Sequence, residues 1–114
     1  MTALGKLEPI LESVRRDLDL RKQRLPRETL DKRCGHDPFL KEDFLSALGK
    51  KGLSIIAEFK RRSPSAGTLS ERSLETTLQC YEAGGADALS ILTNESHFGG
   101  SLEDLSRAAQ TDLP

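Results

Sequence analysis

Apolar positions in the first part of the chain recur every three or four residues. Leu7, Ile10, Leu11, Val14 and Leu18 form one stripe while Arg15, Arg16 and Asp19 fall on the other face, which predicts an amphipathic helix. Pro26 interrupts it, and the following "DKRCGHDP" reads as a connector. Asp37 before Pro38 predicts a new helix start. An Asp accepts hydrogen bonds from the free amides of a first turn, and Pro has no amide to lose there. Phe39, Leu40, Phe44, Leu45 and Leu48 are expected to face inward on this helix, and Gly49 or Gly52 to end it.

From Leu53 the period changes. "LSIIAEF" is a short, nearly continuous apolar run and predicts a strand. "SERSLETTLQCYEAGGA" predicts a helix with Leu74, Leu78 and Tyr81 on one face, closed by Gly84 and Gly85. "DALSILT" is a second strand and "SLEDLSRAAQ" a second helix, with Ser101 and Asp104 in a weaker form of the capping box. Strand, helix, strand, helix at this spacing predicts an α/β fold with parallel strands joined by crossovers. Parallel strands are normally buried on both faces, and both runs suit that. After "AAQTDLP" an α/β fold would supply a third strand. Two parallel strands leave open edges, so the chain is expected to be cut short of a complete fold.

Composition narrows the picture. The 114 residues carry 17 basic and 18 acidic side chains, a net charge of −1, so no bulk field recommends nucleic acid or an anionic membrane as partner. The basic runs "KRR" (Lys60 to Arg62) and "RKQR" (Arg21 to Arg24) are interleaved with acids and do not change that reading. No apolar run approaches the roughly 18 residues that a membrane span needs. The N-terminal residues mix acids and bases and do not resemble a signal peptide. Cys34 and Cys80 stand apart, which fits reduced thiols in a cytoplasmic protein. His36 and His97 have no neighbours at metal-ligand spacing, so no metal site is expected.

The first strand then poses a problem. Residues two apart share a face, so Ile56, Glu58 and Lys60 point one way and Ile55, Ala57 and Phe59 the other. A carboxylate and an ammonium on an inner face are costly unless they pair or meet water. The C-terminal ends of parallel strands are where α/β proteins bind ligands. Glu58 and Lys60, followed by the turn-rich "RRSPSAG", are therefore candidates for a site; a solvated strand end with an incidental ion pair is the alternative. The second strand runs into "TNESHFGGS", where Phe98 is suited to stacking on a planar substrate or, equally, to packing the loop down. A lone "GGS" at a helix start is weak support for phosphate binding.

"SIIAEFKRRSPSAG", "YEAGGADALSILT" and "FGGSLEDL", in this order and spacing, resemble the N-terminal half of the indole-3-glycerol phosphate synthase family. That resemblance runs from Leu53 to Leu105. It implies residues 1–50 as an N-terminal helical extension and 51–114 as the first two βα units of a (β/α)8 TIM barrel, ending before strand 3. It also implies a carboxy-lyase of tryptophan biosynthesis that uses no metal or organic cofactor. The reaction closes the indole ring of 1-(2-carboxyphenylamino)-1-deoxyribulose 5-phosphate, releasing carbon dioxide and water. Lys60 matches the lysine that holds the substrate carboxylate and acts as an acid in the dehydration half. Glu58 matches its partner carboxylate, a base or orienting group. Ser63 matches the loop serine near the phosphate, and Phe98 the aromatic beside the anthranilate ring. Asn94 stands where many members carry an acidic residue.

The resemblance assigns the main general acid to a lysine on a third strand, a further glutamate to a fifth, and the phosphate loops to the seventh and eighth. A full barrel needs about 250 residues, so the 114-residue chain is expected to be inactive alone. Two other readings compete with an N-terminal portion of this enzyme. One is a non-catalytic remnant or interaction module, or half of a split barrel completed by a complementing C-terminal half. The other is a different phosphate-binding barrel, against which the E-F-K-R-x-S-P-S run argues.

Overall fold

The computed structural model describes residues 4–34 and 44–114. The chain divides into two compact units, Met1–Pro38 and Phe39–Pro114. The expected helix start at Asp37 and Pro38, the inward placement of Phe39 and Leu40, and His36 all lie outside the described residues.

In the first unit, α1 spans Leu4–Arg24 and α2 spans Arg27–Arg33. The predicted stripe lies on α1, yet Leu7, Leu11, Val14 and Leu18 all remain exposed. α1 continues through Pro9. Pro26 separates the two helices, as its fixed φ and missing amide suit the residue before a helix start. The "DKR" of the expected connector is instead the last turn of α2, where Arg27 and Asp31 pair one turn apart at 3.7 Å.

The second unit opens with α3 (Phe44–Gly49). Here the expected pattern changes: Phe44 and Leu45 are exposed, and Ala47 is the buried residue. α3 packs against a later strand, and a six-residue helix can set only one narrow stripe against it. Next come β1 (Ile56–Phe59), a short hairpin of β2 (Arg62–Ser63) and β3 (Gly67–Thr68), α4 (Leu74–Ala83), β4 (Ala88–Ile91), α5 (Glu95–Phe98) and α6 (Leu102–Ala108). β1 pairs with β4 in parallel, with Ile56 opposite Ala88 and Phe59 opposite Ile91. That pairing is the predicted crossover, with α4 as its helix.

The core lies on one side of this two-stranded sheet. Phe59, Leu74, Leu78 and Ala108 are buried together, with Tyr81, Leu89 and Ile91 packed around them. The spacing of Leu74, Leu78 and Tyr81 on α4 is what brings the helix down on the sheet. Ser73 caps α4, accepting from the Thr76 amide at 3.2 Å, and Gly84 ends it. α6 is capped in the same way by Ser101, which accepts from Asp104 N–H at 3.1 Å.

The other face of the sheet is only partly covered: Ala88, opposite Ile56, is fully buried there, but the β1 side chains on that face are not. Ile56 is 48% exposed and Glu58 is exposed, whereas two-sided burial was expected of these strands. Helices α4 and α6 are both on the Phe59 side; α3 packs on β4 and nothing among the described residues covers Glu58. No described helix is long and apolar enough to cross a membrane.

Candidate active site at the strand ends

The end of β1 and the residue after it bring the first candidate pair together. Lys60 Nζ lies 3.3 Å from Glu58 Oε1, and both side chains remain partly exposed. Ser90, directly opposite Glu58 on β4, donates to Glu58 Oε2 at 3.4 Å. The pairing follows from strand geometry: partners in register share a face, and Phe59 between them points into the core. An acid and a base held at hydrogen-bond range on a partly open face can bind an anion and move protons.

The backbone beneath this pair is tied down as well. In the parallel ladder Ile55 and Phe59 bond to β4, so the Glu58 carbonyl points to the outer edge. Tyr81 Oη donates to it at 2.7 Å. At the opposite end of the strands Lys50 pairs with Asp87, which also accepts from Ile55 N–H at 2.8 Å. The hydrogen bonds from Lys50 and Ile55 hold the Asp87 carboxyl below its ordinary value of 3.8.

Ser63 stands in the hairpin. Its Oγ accepts from Ala66 N–H at 3.1 Å and lies 3.3 Å from Ser65 Oγ, so its acceptor side is used to shape the turn over 64–66. Its hydroxyl proton can still be donated to an anion. Phe98 ends α5 and is partly buried. The sequence gives this segment as loop; the structure makes it one helical turn. Asn94 starts it by accepting from His97 N–H at 2.8 Å, and Gly99, at φ 66°, closes it. Asn94 three residues before an amide and Gly just past the turn were the signals available for it. A Cβ at Gly100 would run into the Leu92 carbonyl, so the chain can leave β4 by this path only with glycine there.

Two basic residues after Lys60 tie the strand-end loops together. Arg62 donates to the carbonyls of Glu95 and Ser96 at 2.8 and 2.9 Å, where it meets the negative end of the α5 turn. Arg61 makes a two-pronged bond to Asp104: Nη2 to Oδ1 at 2.9 Å and Nη1 to Oδ2. Nη1 also reaches the Gly99 carbonyl at 3.1 Å, and the guanidinium lies 5.0 Å from the Phe59 ring centre. Asp104 is only 3% exposed. The hydrogen bonds from Arg61 hold its carboxyl below 3.8 against the opposing effect of burial, and Asp104 raises Arg61 in turn. Nothing in the sequence links two residues 43 positions apart, and the spacing marks Asp104 only as a cap.

A cleft between α4 and α6, bridged by an Arg107–Glu75 ion pair, lies on the helix-covered side. It is lined by α4 and α6 rather than by the strand ends, and the cation of its ion pair is an arginine, which is not deprotonated in proteins. Among the described residues no cluster of His, Cys, Asp and Glu is arranged to hold a metal ion. Cys34 and Cys80 are free and exposed.

Residues 7–112 match the profile of the indole-3-glycerol phosphate synthase family. Proteins carrying that name are similar along nearly the whole chain. The one from Streptomyces griseus is 42% identical over 113 residues, covering 97% of this chain and 42% of that protein. Those from Micrococcus luteus and Lachnospira eligens are 40% identical over 117 and 110 residues, covering 97% and 95% of this chain and 44% and 41% of theirs. The chain thus spans about two-fifths of the length of the curated relatives it matches. With the profile matched across all but the ends, and the strand, helix, strand, helix order that the quoted motifs require, the chain belongs to the indole-3-glycerol phosphate synthase family.

Proposed function

We propose that this chain is the N-terminal portion of an indole-3-glycerol phosphate synthase. In this reading residues 1–50 are a helical extension, and 51–114 are the first two βα units of a (β/α)8 barrel whose inner face is the Glu58 side of β1 and β4. The observation that carries it is the Glu58–Lys60 pair, 3.3 Å apart at the C-terminal end of a parallel strand and on the face opposite the helices.

The chemistry asked of such a pair is specific. The substrate, 1-(2-carboxyphenylamino)-1-deoxyribulose 5-phosphate, is an anion that must lose carbon dioxide and then water as the ring closes. The Lys60 ammonium binds the carboxylate and supplies a proton to the departing hydroxyl. Glu58 holds that ammonium in place and accepts a proton. Ser63 donates to the phosphate, and Phe98 stacks on the anthranilate ring. The enzyme acts in the cytoplasm without a metal or organic cofactor, and takes neither nucleic acid nor membrane as partner. The remaining strands, in one chain or in a complementing half, supply the rest of the site. Leu89 N–H supports that last point: it faces away from β1 and donates to the Pro114 carbonyl at 2.8 Å, so this edge of β4 accepts a further strand.

The test is a fusion of this chain to the C-terminal three-fifths of the Streptomyces griseus relative. The chain alone is expected to make no indole-3-glycerol phosphate, and the fusion to make it. Lys60→Ala in the fusion should lower kcat by about 10²–10⁴, the usual worth of a positioned acid. Near-normal turnover in that variant, or product from the chain alone, would refute the assignment. Should the chain act without catalysis, as an interaction module, it would instead bind a separate C-terminal half and yield no turnover.

A further inference from the structure

Two cations follow β1 side by side, and only one of them meets Glu58. Lys60 and Arg61 both lie past Phe59, the last residue of β1, so the alternation that sets Lys60 on the Glu58 side is no longer enforced there by the strand itself. Of the two, a guanidinium is the better partner for a carboxylate, because its planar fork matches both oxygens. It is also the wrong one for a proton donor, since arginine is not deprotonated in proteins. Yet Lys60 lies against Glu58, and Arg61 is turned to the helix side.

The cause is on α6. Asp104 is buried, is placed in the first turn by the Ser101 cap, and takes both forks of Arg61, while Nη1 also donates to Gly99 O and the guanidinium lies over the Phe59 ring. The Arg61 carbonyl is fixed as well, accepting from Leu69 N–H at 2.9 Å. With Arg61 anchored on one side, the side chain one residue earlier is directed to the other. We propose that Asp104 is a positioning residue for the Glu58–Lys60 pair: by sequestering Arg61 beneath the sheet, it leaves Lys60 as the cation that reaches Glu58. The catalytic meaning of this rests on the synthase reading above; the geometry does not.

The test needs no substrate, so it stands apart from that reading. The full 114-residue chain is trace-labelled with acetic anhydride, and acetylation of each lysine is read by mass spectrometry. Lys50, paired with Asp87 at the far end of the strands, reports whether the unit stays folded. Asp104→Asn should free Arg61 to displace Lys60 and raise Lys60 labelling about threefold, the size expected for losing a half-exposed ion pair, with Lys50 unchanged. Adding Arg61→Ala removes the competitor and should return Lys60 to its original rate. No change at Lys60 in Asp104→Asn, an equal rise in the single and double variants, or a rise at Lys50 alongside Lys60 would each overturn the proposal.

Discussion

At the scale of single residues, two carboxylates of the second unit are each tied to a cation: Asp104 in the first turn of α6 and Asp87 just before β4. Asp104 and Asp87 are both held below the ordinary carboxylate value of 3.8, the first by Arg61 and the second by Lys50. A carboxyl depressed in the folded state binds its proton more readily once unfolded. Its stabilisation is therefore present in full above 3.8 and drains away as pH falls through the lower folded value. We expect urea unfolding to give a nearly constant stability from pH 7 to 5 and a steep fall below about pH 4. Asp104→Asn should be less stable at neutral pH and should show a shallower acid slope. An unchanged slope in that variant would show that the Arg61 bond contributes nothing to the titration.

Elements in the second unit are held by one layer of contact, and their side chains divide sharply between the two faces. On α4, Leu74 is 1% exposed, whereas Leu102 at the start of α6 is 55% exposed. Truncating Leu74 leaves a cavity between helix and sheet, so Leu74→Ala should cost about 2–5 kcal/mol. Leu102→Ala should stay within about 0.5 kcal/mol, since the side chain has little burial to lose and Ala is the better helix former. Paired chemical denaturation measures both. Equal losses would contradict the one-sided core. The same asymmetry explains how far each element was legible. α4 was readable because its apolar spacing and terminal glycines agree with its burial. α3 was misread at Phe44 and Leu45 because apolar residues lie on more than one side of a six-residue turn, and only packing selects which side is covered.

At the scale of the molecule, the β1–β4 sheet is two strands wide among the described residues, with its main core on the Phe59 side and the other face only partly covered. Ile55 and Ile56 are about half exposed and Leu53 more so, beside the backbone edges of β1 and β4. Apolar side chains next to free strand edges favour pairing with another chain. The purified chain should accordingly show a concentration-dependent rise in sedimentation coefficient and a broad thermal transition. A sharp, concentration-independent transition from a monomer would contradict this. Fusion to the remainder of a family barrel should remove the association, because the same edges and face would then be occupied.

The order of β1, α4, β4 and α6, the parallel crossover, the cap at Ser101, and the face shared by Glu58 and Lys60 were all determined by the sequence alone. Each depends on residues near one another in the chain, whose spacing sets a period or satisfies a local amide. The partner of Arg61 and the role of Arg62 on α5 were decided only by the tertiary structure. They join β1 and its loop to α5 and α6 across 33 to 43 residues of chain, and bonds of that reach form only where folding has already brought the groups together.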